Sequence, residues 1–167
     1  MRPARHITPT LLVLSWHDCL ARADDILSRP PASPYSRRVE PRGQCVARFV
    51  LPLEWCKSIN RVRDAQRWQH ARDKSRIRKM MQEQAMRQGL QRIAHPLPGR
   101  PQVRCVRFST RAPDPCADWA KMPVDVLTPG HGGLGLLVDD DLKHCDLWTW
   151  WEPAKRGEGF VYVEVRS

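Results

Sequence analysis

Seven aspartates lie between positions 114 and 146: Asp114, Asp118, Asp125, Asp139, Asp140, Asp141 and Asp146. Only Lys121 and Lys143 offset them, so the segment is net negative by five. Clustering acids costs repulsion, and a divalent cation is the usual way to relieve it. All of these acids are Asp, and short carboxylates on loops and strand ends suit Mg²⁺, a hard ion that takes oxygen ligands and keeps several waters. The competing reading makes them helix caps, turn formers and solvated loop charge, and spacing alone leans that way. The opposite charge sits upstream. Positions 61–92 hold ten Lys and Arg against three acids, and Arg72, Arg76 and Lys79 step by four and three onto one helical face. Such a face can neutralise nucleic-acid phosphates, or it can be simply solvated.

The elements that must carry these groups can be read from periodicity. CVARFVLPL, 45–53, predicts a strand ending at Pro52, and 63–88, free of Gly and Pro and rich in helix formers, predicts a helix. Its Ile77, Met80, Met81 and Ala85 project away from the basic face toward a core. Residues 102–110 predict a second strand, and 122–127 a short helix with Pro123 in its first turn. LGLLV, 134–138, predicts a short strand running into the three consecutive aspartates. Strands at 145–151 and 160–165 follow, and the Pro and Gly of EPAKRGEG between them suggest a hairpin loop. Trp148 and Trp150 share a face by their period of two, which suits a core or a dimer interface better than base stacking. Upstream, RPPASPYSRRVEPRG resists regular structure, so 1–44 is expected to be a flexible basic extension and 45–167 the folded domain.

The 167 residues fit one domain with an appendage, and 41% hydrophobic residues suffice for a core. Net charge +10 points toward an anionic partner, most often nucleic acid. The early apolar run 11–14 is too short to span a bilayer, and Pro9 and Asp18 spoil it as a secretion signal. No membrane association is expected. Six cysteines without a C-x-x-C pair show neither a zinc ribbon nor a redox motif and read as reduced cytoplasmic thiols.

Four stretches in order, LPLEWCKSINR, RAPDPCADWAKMPVDVL, GLLVDDD and KRGEGFVYVEV, resemble the RusA-type Holliday-junction resolvase family of bacteria and their phages. The resemblance covers 45–165. It implies an α+β fold, a small mixed β-sheet flanked by helices, and a homodimeric Mg²⁺-dependent endonuclease that resolves four-way DNA junctions in recombination, repair or phage replication. Within it Asp114 stands as the first metal acid, Lys121 as the block lysine that assists catalysis, and Asp125 with Leu127 as the D-x-L that follows. Asp140, or its neighbour Asp139, stands as the paired-aspartate ligand. The chain departs from the pattern before the lysine: Ala117 takes the second acid's place and Asp118 the asparagine's, so Asp118 serves as catalytic ligand only by a local shift. Asn60 and Arg61 of the S-x-N-R-like loop, the helix cations Arg72, Arg76 and Lys79, and Lys155 with Arg156 are the expected DNA contacts. The alternative is a catalytically impaired branched-nucleic-acid-binding protein on the same fold, with Ala117 as its signature.

Overall fold

The computed structural model describes residues 15–31, 37–56, 67–92, 95–114 and 118–167. Helices α1 (Trp16–Ser28), α2 (Arg67–Arg87) and α3 (Lys121–Leu127) surround four strands, β1 (Cys45–Pro52), β2 (Gln102–Ser109), β3 (Asp146–Pro153) and β4 (Phe160–Arg166). The sheet order is β1-β4-β2-β3, with β4 antiparallel to both of its neighbours and β2 parallel to β3. This is a mixed sheet in an α+β arrangement, as the sequence predicts. Strand alternation sorts the core into two layers. Phe49, Leu51, Val103, Cys105, Val161, Val163 and Val165 face α2 and α3, where Ile77, Met81, Ala85, Met122 and Leu127 meet them. Val50, Val106, Phe108, Trp150, Phe160 and Tyr162 face α1. The central strands β2 and β4 are therefore buried on both sides.

Helix α2 also closes one edge of the sheet. Gln84 accepts from Val50 N at 2.9 Å and donates to Val50 O at 2.7 Å. One turn later Gln88 does the same for Arg48, at 2.8 Å in each direction. Two amides at i and i+4 thus stand in for a neighbouring strand along β1, whose edge would otherwise template pairing with another chain. The same bonds fix which way α2 faces: its apolar stripe points inward and Arg72 and Lys79 outward.

Three expectations need correction. Part of the extension at 1–44 is ordered: Ser15 and Asp18 form a reciprocal cap that starts α1, which buries Cys19, Leu20 and Ala23 against the sheet. Arg38 then reaches Glu152 on β3, and Gln44 pairs with Ser167 beside the end of β4. The apolar run 134–138 is not a strand. Leu136 and Leu137 are adjacent yet buried in the same cluster, which strand alternation forbids. The backbone instead bonds to the end of α3, Leu134 N to Val126 O at 2.7 Å and Leu137 N to Leu127 O at 3.1 Å. Gly133 permits this approach, since a Cβ there would sit 1.9 Å from Thr128 O. Finally, β3 and β4 do not form a hairpin, because β2 lies between them and the connection crosses its end, with Ala154 N bonded to Ser109 O at 3.0 Å.

Candidate functional site

The short helix α3 is fixed by what it buries. Met122, Pro123, Val124, Val126 and Leu127 turn inward, and Pro123 sits in the first turn, where its missing N–H has no intrahelical partner to lose. Lys121 and Asp125, at i and i+4, are left on the open side and pair at 2.9 Å. Two further groups join them. Lys74 of α2 reaches Asp125 at 2.7 Å, and the Lys121 ammonium also makes a short hydrogen bond to Asp140. The result is a chain of alternating charge, Lys74, Asp125, Lys121, Asp140, tying the basic helix to the acidic loop. Its hydrogen bond to Asp140, against desolvation and aided by Asp125, holds the Lys121 ammonium above the usual lysine range. Lys121 in turn holds Asp140 below the usual carboxylate range. Lys121 is therefore charged throughout the neutral range, a donor and electrostatic anchor rather than a base.

Beside this chain the loop before β3 curls around one carboxylate. Asp141 Oδ1 accepts from the amides of Lys143 and His144 at 3.0 Å each, and from His144 Nδ1 at 2.6 Å. Against a desolvation penalty, these bonds hold Asp141 below its ordinary value. Ligand atoms of Asp139, Asp141 and His144 lie within 4.8 Å of one another, the grouping among the described residues that could hold a metal ion. The two carboxylates fit Mg²⁺, which is commonly bound by one or two protein carboxylates together with a substrate phosphate, and His144 adds a nitrogen donor.

The structure joins some of the expected site residues and not others. Lys121 and Asp140 are in contact, and Asp139 Oδ1 accepts from Asp140 N at 2.8 Å. Asp114 and Asp118 are exposed on the segment between β2 and α3 and belong to no metal-binding group among the described residues. Topology explains the spread. Parallel pairing of β2 with β3 puts the end of β2 and the start of β3 at opposite ends of the sheet, seven residues apart at about 3.3 Å per residue. The β2–α3 segment must travel back along the sheet before Lys121 meets Asp140, so Asp118 lies closer along the chain to that contact than Asp114 does. Ala117 lies outside the described residues, as do Asn60 and Arg61.

Of the expected DNA contacts, Arg72, Lys79, Lys155 and Arg156 are exposed. Arg76 is half-buried instead, 3.7 Å from Asp73 and stacked over Trp55 at 5.8 Å, so it helps to pack the helix. Trp150 is buried beneath α1, whereas Trp148 on the same face is 40% exposed. Sequence reasoning overlooked Lys74, whose partner lies on another element, and His144, although the spacing D-x-x-H of a side-chain-capped turn was there to be read. The five described cysteines, Cys19, Cys45, Cys56, Cys105 and Cys145, are free thiols. No helix among the described residues is long and apolar enough to cross a membrane. Set against known protein families, curated proteins and solved structures, the chain has no match in any of the three.

Proposed function

We propose that the protein is a metal-dependent, structure-selective endodeoxyribonuclease that cuts branched DNA. The observation that carries this reading is the clasp of Lys121 between Asp125 and Asp140, set beside the carboxylates of Asp139 and Asp141 and tied to a basic helix by Lys74. It combines a fixed cationic donor, oxygen ligands and a phosphate-binding face within one small surface, and it coincides with the motif order shared with RusA-type resolvases. Asp139 and Asp141, with His144 beside them and Asp140 next in the loop, are the residues that would hold Mg²⁺. Bound there, the ion would supply an activated water and neutralise charge developing on the phosphate. The protein's own residues supply the rest. Lys121 donates to a phosphate oxygen, and Asp125 keeps the ammonium in place. Arg72, Lys79, Lys155 and Arg156 take the flanking backbone, with counterion release as the source of affinity. A homodimer would set two such sites across a junction of approximate two-fold symmetry and nick it in pairs.

One observation favours the alternative, a branched-nucleic-acid binder without catalysis: Asp140 is already engaged by Lys121. A synthetic four-way junction incubated with the protein in Mg²⁺ and in EDTA separates the two. Nuclease activity requires nicked product in Mg²⁺ alone, and Asp140→Asn should abolish it while leaving the junction bound in EDTA. Unchanged cleavage by that variant would refute the assignment.

A further inference from the structure

Arg107 is a partly buried cation that has no counter-charge among the described residues. It lies on the α2-facing side of β2, in register with Trp151 of β3 and Val161 of β4. Its Nη1 donates to Cys56 O at 3.0 Å, and the guanidinium carbon lies 5.9 Å from the centre of the Trp119 ring. Nε is sealed from solvent with no hydrogen-bond partner, while Nη2 makes no hydrogen bond and keeps access to solvent. No carboxylate among the described residues reaches it. Burial holds the guanidinium below the usual arginine range, and only the nearby Cys56 opposes this.

The two most buried paired arginines on the other face are treated differently. Arg104 is paired with Glu164 at 2.7 Å and Arg38 with Glu152 at 2.5 Å. Taking a cation out of water without an acid is costly, and an apolar side chain would fill such a place at less expense. A guanidinium retained there, over an indole at 5.9 Å and with one edge open, has the form of a receptor for an anion that arrives from outside. Of its planar fork the Nη2 end is open to a phosphate oxygen, and the ring and the Cys56 carbonyl hold it in place beforehand. Trp119 comes two residues before Lys121, so the segment that delivers Lys121 to Asp140 also sets the ring against Arg107.

We propose that Arg107 is a phosphate-binding residue, whose guanidinium, held over Trp119, donates from Nη2 to a non-bridging oxygen of a phosphodiester on the side of the segment that leads to Lys121. That the phosphate belongs to branched DNA rests on the nuclease reading; the anion site itself does not. The test compares the full-length wild type with Arg107→Met and Arg107→Lys, each checked for folding by circular dichroism. In the first arm, inorganic phosphate should raise the wild-type Tm above that in NaCl of equal ionic strength, and Arg107→Met should lose this phosphate-specific shift. In the second, binding to a labelled four-way junction in EDTA is titrated against salt. Arg107→Met should bind about tenfold more weakly, and the slope of log K on log[salt] should become shallower by about one. Arg107→Lys keeps the charge without the fork and should fall between, with the wild-type slope. A wild type without a phosphate-specific shift, or an Arg107→Met variant with the wild-type shift and slope, overturns the proposal. A wild type stabilised by phosphate through Arg107 that neither binds nor cuts the junction leaves the anion site standing and refutes the nuclease reading instead.

Discussion

Replacing Gln84 with Met tests whether α2 is held in place by the amides that close the β1 edge. The wild-type side chain is 5% exposed and satisfies both backbone groups of Val50, itself fully buried. Met preserves length and helix propensity but leaves a buried N–H and a buried C=O without partners. Each orphaned group costs about 1–3 kcal/mol, so the pair should cost about 3–4 kcal/mol after the gain from an apolar side chain. That is a large share of a typical total of about 5–15 kcal/mol. In a chain of this size it should lower Tm by about 10 °C and reduce the urea midpoint with an unchanged m value. Gln88→Met is the internal control. Its partner Arg48 is only half-buried, water can replace the lost bonds, and the cost should be about 1 kcal/mol. Gln84→Glu adds a pH signature. A buried Glu here would have its folded pKa raised above the unfolded value, because only the protonated form can donate to Val50 O. Its stability relative to wild type should be highest at low pH and be lost as pH rises through the folded pKa. Equal costs for Gln84→Met and Gln88→Met, or a Gln84→Met midpoint at the wild-type value, would refute the account of the edge.

Two further outcomes follow from the ion pairs. Arg38→Ala should cost about 3 kcal/mol, because it removes the guanidinium that holds both oxygens of the Glu152 carboxylate, 1% exposed, beneath the N-terminal segment; urea denaturation of Arg38→Ala beside Arg38→Met/Glu152→Met should show the double variant recovering most of the loss. The Lys121–Asp140 pair has a defined pH window. Asp140 is depressed below its ordinary 3.8, so its contribution is present above that value and is lost as pH falls through the folded pKa. Lys121 is raised above its ordinary 10.5, so its contribution is present below that value and is lost as pH climbs through the folded pKa. The difference in urea midpoint between wild type and Asp140→Asn should stay level from about pH 5 to pH 9 and shrink outside that range; a difference that changes across neutrality would contradict the pairing.

Much of the fold was legible because burial leaves a period in the sequence. Helix α2 shows its apolar stripe at Ile77, Met81 and Ala85, and the doubly buried β4 reads as a nearly continuous apolar run from Phe160 to Val163. Helix α1 was equally legible, through Ser15 and Asp18 at cap spacing and Cys19, Leu20 and Ala23 beyond them, but the proline-rich stretch after it set the tone for the whole extension. Residues 134–138 misled for a different reason: an apolar run records that the chain is buried, not that its neighbours are strands. The break in β3–β4 adjacency lies in the sheet order, which local turn chemistry does not encode. In the site, Lys121 and Asp125 could be paired from their i, i+4 spacing, whereas Lys74 and Asp140 enter through tertiary contacts across 51 and 19 residues. Arg107 was hidden most completely, since on a strand a cation without a partner looks the same in sequence as one with a partner.

The net charge of +10 is not spread evenly over the fold, and its distribution argues for which face meets an anionic partner. On the α1 side six cations are answered by five acids: Arg22 by Glu158, Arg29 by Asp25, Arg38 by Glu152, Arg48 by Asp24, and Arg104 and Arg166 together by Glu164. Among the described residues Arg72, Arg78, Lys79 and Arg87 of α2 have no acidic partner, and neither do Lys155, Arg156 and Arg107. Scattered surface charge would divide its pairing between the faces at random. Here paired cations lock the N-terminal segment to the sheet, while the exposed Arg72, Lys79 and Arg87 of α2 have no acidic partner among the described residues and share a side with Lys121 and the acidic loop. Long-range attraction follows the unpaired charge, because paired groups cancel within a Debye length of about 8 Å at physiological salt. A polyanion would therefore be drawn to the α2 and α3 side, where Lys74 already links the basic helix through Asp125 and Lys121 to Asp140.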